Sequence, residues 1–147
     1  MTPRTATPAD HDAVVELAAA FYAEDGFATP RAELAANLRV LMAAQTARVA
    51  VIDLDGAVVA FGITTTVFGL ENGLVAELED LYVAPHARRR GLAQQLIDDS
   101  ADWARALGAP HLNITIAPNG LDVSHLLRYY AARGFRDEGR SIITLPL

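Results

Sequence analysis

The segment from Leu78 to Leu96, LEDLYVAPHARRRGLAQQL, constrains the fold of this chain more than any other. The run LVAELEDLYV, residues 74 to 83, has the composition of a β-strand, and it ends before Pro85, where a ladder hydrogen bond can no longer be donated. From Gly91 onward Leu92, Leu96, Trp103 and Leu107 recur along one side of a helix, with Gly108 as its stop. A strand, a short loop and a helix opened by glycine form an arrangement suited to phosphate. The first helical N–H groups lack internal partners, and the helix dipole favours an anion there. Arg88, Arg89 and Arg90 add positive charge at that point. Gly91 lets a ligand approach the backbone, and the small Ala93 leaves the next amide uncrowded.

The basic triplet is a local feature, because the whole chain is acidic, with 12 Lys+Arg against 18 Asp+Glu and a formal charge of −6. This balance argues against a broad nucleic-acid or anionic-lipid footprint. A length of 147 residues, 52% of them hydrophobic, fits one globular domain spanning 1–147. The absence of cysteine excludes disulfides, thiolate nucleophiles and cysteine metal sites. MTPRTATPADHD at the N-terminus has no apolar signal core, and no stretch approaches the ~20 apolar residues of a membrane helix. The expectation is a cytoplasmic protein.

Thr7-Pro8 and Thr29-Pro30 read as starts of two helices, with stripes at Val14, Leu17, Ala18 and Phe21 and at Leu34, Leu38, Leu41 and Met42. RVAVIDL (48 to 54) and AVVAFGITTTVF (57 to 68) are β-rich runs around Asp55-Gly56, a favoured hairpin pair. HLNITI (111 to 116) is a further strand. A fourth helix is predicted around Val123, Leu126, Leu127 and Tyr130, and the tail FRDEGRSIITLPL reads as two short strands about Gly139. Strands grouped early and βα units later make a mixed α/β order.

RRRGLA at 88 to 93 resembles the Gln/Arg-x-x-Gly-x-Gly/Ala pyrophosphate loop of the GCN5-related N-acetyltransferases. LEDLYVAPHA is similar to that family's fourth strand and YYAARGF (129 to 135) to its Tyr-x-x-x-Gly-Phe segment, so the resemblance covers nearly the whole chain in element order. It implies one α/β (α+β) domain: a mixed, mostly antiparallel sheet of six or seven strands, flanked by about four helices and splayed between strands 4 and 5. It also implies acetyl-CoA as co-substrate, gripped by backbone amides from Arg89 through Gly91 and Leu92 to Ala93. The arginine side chains assist, and Arg88 holds the motif's first position. The family's fourth strand is commonly bulged near its end, where a main-chain N–H, here around Leu81, Tyr82 or Val83, binds the thioester oxygen and stabilises an oxyanion.

Acetyl transfer to an alkylamine of pKa near ~10 requires a base, since the amine is mostly ammonium at neutral pH. Glu77, Glu79 and Asp80 are the candidates. In a regular strand Glu77, Glu79, Leu81 and Val83 share one face and Leu78, Asp80 and Tyr82 the other, unless a bulge changes the allocation. The Leu78-Glu79-Asp80 stretch is similar to one in diamine and polyamine acetyltransferases. That likeness favours Glu79 as base and Asp80 as substrate anchor, with Glu77, at the histone-type position, as the alternative base. Tyr130, five positions before Phe135, stands where the family's catalytic tyrosine does, to protonate the departing thiolate. Where the family often carries an asparagine against the pantetheine arm, this chain has Val123, and Asn119 or Ser124 is the candidate replacement.

His11, His86, His111 and His125 show no metal-ligand spacing, so no metal is expected, and His125 is a reserve candidate for proton handling. The resulting expectation is an acetyl-CoA-dependent N-acetyltransferase using direct attack in a ternary complex on a primary amine of a small cationic acceptor. Polyamines or diamines compete with aminoglycosides, because ARRRGLAQQLI and the ALGA turn at 106 to 109 look like aminoglycoside 3-N-acetyltransferases. The alternatives are a protein or peptide N-acetyltransferase and a non-catalytic acyl-CoA-binding regulatory module. No nucleic-acid or membrane partner is expected, and pairing through IITLPL would give a homodimer.

Overall fold

The computed structural model describes residues 1–147, which form two compact units, Met1–Thr115 and Ile116–Leu147. The first unit holds a five-stranded sheet of β1 (Arg4–Thr5), β2 (Ala47–Leu54), β3 (Ala57–Gly69), β4 (Gly73–Val83) and β5 (Leu112–Ile114), in that spatial order. Pairing is antiparallel from β1 to β4 and parallel between β4 and β5. Three helices complete this unit: α1 (His11–Asp25), α2 (Arg31–Ala43) and α3 (Leu92–Ala106). The second unit contains α4 (Ser124–Ala131). No helix is long and apolar enough to cross a membrane.

Alternation along the strands divides the core. Val49, Val51, Phe61, Ile63 and Tyr82 pack with Val14, Val15 and Leu38 of α1 and α2, whereas Ala50, Ile52, Ala60 and Val83 pack with Leu92 and Leu96 of α3. The sheet is therefore covered on both faces. Gly62 brings β3 close to α3, since a Cβ there would meet the Leu96 side chain at 3.6 Å. Asp55 and Gly56 both take positive φ, 52° and 83°, as the tight hairpin between β2 and β3 requires.

The proline signals mark helix entries with small offsets. Thr7 precedes a 3₁₀ turn at Pro8–Asp10 before α1 begins at His11, and Pro30 itself, in extended conformation, is the cap residue of α2. The parallel pairing of β5 with β4 covers only Ala76 to Leu78, where β5 ends, while β4 continues to Val83.

Two expectations need correction. The sheet has five strands rather than six or seven, and residues 136–147 form no strand. Each run in the tail is a few residues long, and two-stranded ribbons of that size are marginal without a third strand or a helix to cover them. The Asp137 carboxylate accepts the Gly139 N–H at 2.8 Å, which makes a local turn, while Ile142, Ile143, Leu145 and Leu147 remain exposed.

Arg4 ties the N-terminal edge together. Its guanidinium donates to both carboxylate oxygens of Asp10, at 2.8 and 2.9 Å, and to both of Asp53, at 2.6 and 3.0 Å. The hydrogen bond from Arg4 is the main reason the buried Asp10 carboxyl titrates far below the usual range, with the N–H and hydroxyl of Thr7 also contributing. A depressed carboxyl pKa contributes stability that is present above the unfolded-state value and lost as pH falls toward the folded one. Asp10→Asn is accordingly expected to cost about 2 kcal/mol at pH 7. The difference from the parent chain should shrink progressively below pH ~4 in urea unfolding.

Candidate active site

The register of β3 against β4 slips at one place. Ile63 stands opposite Asp80 and Thr64 opposite Leu78, leaving Glu79 as an extra residue in β4. Such a bulge reverses the side-chain alternation beyond it. Before the bulge Ala76 packs with Ala104, on the α3 face; after it, Leu81 and Val83 lie on that same face, in the cluster around Leu92 and Leu96. Glu77, Glu79, Asp80 and Tyr82 consequently all face α1 and α2. The regular-strand allocation, with Asp80 opposite the two glutamates, is thus replaced by one in which the three acids share a side.

Their hydrogen bonds agree with this placement. Thr65 donates to Glu79 at 2.8 Å and Thr115 to Glu77 at 2.7 Å, while the Tyr22 hydroxyl of α1 donates to Asp80 at 2.9 Å. Glu79 is exposed, Glu77 and Asp80 are half-buried. Burial pushes the Asp80 carboxyl above its ordinary value, with the Glu79 charge adding to the rise and the Tyr22 bond opposing it. Burial likewise raises the Tyr22 phenol, reinforced by Asp80 and Glu79.

The bulge also sets where the backbone points. Ala84 N–H donates to Val59 C=O at 2.8 Å, so alternation directs the amides of Tyr82 and Asp80 toward β3. The amides of Leu81 and Val83 therefore point away from β3, toward the edge on which β5 stops pairing at Leu78. An acyl oxygen at that edge would meet main-chain donors of the kind that stabilise an oxyanion.

Beyond Val83 a 3₁₀ turn at Pro85–Ala87 leads into the arginine triplet. Arg88 is extended (φ −66°, ψ 164°), Arg89 is left-handed at φ 63°, and Gly91 is left-handed at φ 76°. Left-handed residues spaced in this way fold successive amides into a concavity suited to an anion. A non-glycine residue held there is strained by roughly 1 kcal/mol or more, and such strain is characteristic of ligand-gripping loops. No side chain caps α3: the Gly91 carbonyl accepts from Gln95 at 3.1 Å, and the amides of the first turn receive no capping bond from Gly91, which has no side chain. Leu92, 1% exposed, anchors this helix start in the core. The half-buried Ala93 packs beside it. Arg89 and Arg90 are exposed. The Arg88 side chain instead turns back, donating to Val83 C=O at 2.9 Å and to Glu24 of α1 at 2.8 Å.

In the second unit, Tyr130 is buried on α4, and its ring lies edge-on to Phe135 at 5.4 Å and to Tyr129 at 5.2 Å. The Tyr130 carbonyl accepts from Phe135 N–H at 3.2 Å, so the Tyr-x-x-x-Gly-Phe segment closes on itself around Gly134. Asn119 and Gly120 form a tight turn at φ 47° and 81°, closed by Leu121 N–H to Pro118 C=O. Ser124 begins α4, and its N–H donates to Asp122 at 2.9 Å. His125 lies beside it on the first turn. No cluster of three or more His, Cys, Asp or Glu has the arrangement of a metal site.

The acetyltransferase (GNAT) family model matches residues 12–135, which spans the bulged strand, the arginine loop and the Tyr-Gly-Phe segment. The chain belongs to the GNAT acetyltransferase family. An aminoglycoside N(6')-acetyltransferase type 1 of Serratia marcescens is 37% identical over 95 residues, 60% of this chain and 62% of that protein's length. Among solved structures, an integron cassette protein from the mobile metagenome of Cole Harbour Salt Marsh superposes with a TM-score of 0.84 at 26% identity, over 99% of this chain and 90% of that one. Aminoglycoside N-acetyltransferase AAC(6')-Iy, in complex with CoA, gives 0.82 at 20% identity, over 98% and 93%. These likenesses show that the chain has the GNAT fold.

Four side chains at this site carry no motif of their own: Tyr22, Glu24, Thr65 and Thr115 reach it through the fold. Only Glu24 left a trace in the sequence, as an acid near the C-terminal end of a helix, where the dipole disfavours negative charge.

Gly91 offers a direct check on the loop. A Cβ added there would meet nothing within 4 Å, so Gly91→Ala tests conformation alone. The left-handed φ should make this substitution cost about 1 kcal/mol in thermal or urea unfolding, and a stability equal to the parent's would show that the loop relaxes to another conformation.

Proposed function

We propose that this chain is an acetyl-CoA-dependent N-acetyltransferase that acetylates a primary amine of a small cationic acceptor, by direct attack in a ternary complex. The observation that carries the reading is the bulge at Glu79. It gathers three carboxylates on one face of β4 and turns the Leu81 and Val83 amides to the edge beyond β5. A cationic amine and a polarised thioester are then served by neighbouring residues of one strand.

The donor's pyrophosphate lies against the amides from Arg89 to Ala93, with Arg89 and Arg90 supplying charge. The donor set fits the ligand, since a concave run of amides and an uncapped helix start suit a dianionic group. Asp80, held by Tyr22, anchors the acceptor cation. Glu79, exposed and reached by Thr65, takes a proton from the ammonium, with Glu77 as the alternative. The freed amine nitrogen forms a bond to the acetyl carbon and the carbon–sulfur bond breaks; Tyr130 gives its proton to the departing thiolate, and the nitrogen's remaining extra proton is released to solvent, from which Tyr130 is reprotonated. A chain without cysteine has no thiol to carry the acetyl group between two half-reactions. Asn119 or Ser124 serves the pantetheine arm in place of the asparagine that Val123 replaces.

Among acceptors, the 37%-identical relative supports an aminoglycoside over a polyamine, and its name directs the reaction to a 6'-amino group rather than the 3-amino group. The family model runs through both compact units, which supports one acetyltransferase domain over 1–147. The exposed, apolar Ile142, Ile143 and Leu145 support a homodimer.

A thiol-release assay with acetyl-CoA against aminoglycosides, polyamines, amino acids and peptides tests the reading. Turnover is expected with aminoglycosides, and tight CoA binding without release from any amine would identify a silent acyl-CoA module. Tyr130→Phe should reduce kcat by about 10²-fold or more while leaving CoA affinity unchanged, and an unaltered kcat would remove Tyr130 as the acid. Glu79→Gln should depress kcat/KM most strongly at neutral pH and recover as pH approaches the amine's own pKa. A profile parallel to the parent's would transfer the role of base to Glu77.

A further inference from the structure

Glu24 lies in the last turn of α1, where no basic residue offsets it and the helix dipole opposes a carboxylate. Its stability there comes from far along the chain. Glu24 Oε1 accepts from the Tyr82 hydroxyl at 2.7 Å and Oε2 from Arg88 at 2.8 Å, across separations of 58 and 64 residues. Burial opposes ionisation, yet the bonds from Arg88 and Tyr82 hold the Glu24 carboxyl below its ordinary range. The Arg88 guanidinium lies 5.5 Å from the centre of the Tyr82 ring, which itself stacks on Phe21 of α1 at 5.3 Å. Arg88 Nε donates to Val83 C=O, completing a closed set of contacts.

These contacts join three parts of the site. Val83 ends the strand whose amides face the edge beyond the end of β5, Arg88 begins the loop of left-handed residues, and α1 carries Tyr22 to Asp80. Two edges of the Arg88 guanidinium are already committed, Nε to the strand and Nη2 to the helix. The charge that remains uncommitted near the loop belongs to Arg89 and Arg90, for which no carboxylate partner occurs within salt-bridge distance.

We propose that Glu24 is a positioning residue for donor binding: by fixing Arg88 and Tyr82 it sets the backbone of the loop at residues 88 to 91, and Arg88 acts through this clamp rather than as a ligand of the pyrophosphate. The inference rests on the proposed CoA-binding role of the loop. It has an electrostatic consequence of definite sign. If Arg88 were held back from the phosphates by Glu24, removing the glutamate would free a cation and tighten CoA binding. If Glu24 holds the loop in its binding shape, removing it loosens the amides and weakens CoA binding despite the gain in positive charge.

Calorimetric titration of CoA and of pantetheine, which lacks the pyrophosphate, into the parent protein, Glu24→Ala, Glu24→Gln, Arg88→Ala and the Glu24→Ala/Arg88→Ala pair separates these cases. The expected result is a rise in the Kd for CoA of about tenfold in each alanine variant, no further rise in the double variant, and an unchanged Kd for pantetheine. Glu24→Gln keeps one acceptor oxygen and should fall between parent and alanine, which also guards against a misfolded alanine variant. Equal or tighter CoA binding in Glu24→Ala, or losses that add in the double variant, would overturn the clamp while leaving the loop's CoA role intact. A parent protein that binds CoA no better than pantetheine would overturn the loop's role, and the clamp's with it.

Discussion

The extra residue in β4 is the constraint on which the rest of the site depends. A strand of strict alternation sends every second side chain to the same face, so Glu79 and Asp80 would point to opposite sides of the sheet. Inserting Glu79 without a partner on β3 keeps both of them, and Glu77, toward α1 and α2. The same insertion reverses the amide directions, so that the Leu81 and Val83 N–H groups leave β3 for the edge where β5 ends. One unpaired residue therefore allocates both the acidic side chains and the main-chain donors. The hydrophobic core tolerates it because Leu81 and Val83 still reach the α3 face, where Leu92 and Leu96 bury them.

The helices on the two faces then divide the labour. On one side α3 is anchored by its buried Leu92 and Leu96, which brings its uncapped N-terminus and the left-handed Arg89 and Gly91 against the end of β4. On the other side α1 reaches β4 twice, through Tyr22 to Asp80 and through Glu24 to Tyr82 and Arg88. Charge is placed with the same economy in an acidic chain. The acids that have arginine partners, such as Asp10 and Asp99, hold elements together, whereas Glu77 and Glu79 accept from the hydroxyls of Thr115 and Thr65.

Much of this was legible in the residues. The hairpin at Asp55-Gly56, the strand ending before Pro85, the helix from Gly91 and the stripe through Tyr130 all formed within a few residues of their expected bounds, because each is specified by local backbone preference and periodicity. The tail was misjudged for a definable reason: IITLPL has the composition of a strand, but composition does not supply a neighbour to pair with. The short β1 carries no periodic signal at all and exists because β2 offers it an edge.

By itself the sequence determined the order of elements, the loop suited to phosphate and the set of acids and tyrosine able to handle protons, since these follow from residue type and spacing along a few turns of chain. Only the tertiary structure decided which of the strand acids share a face of β4. A bulge is a property of how two strands pair, and an ion pair between Glu24 and Arg88 joins residues 64 apart. Neither leaves a periodicity to read, because cross-strand register and long-range contact are set by packing of the whole sheet against its helices.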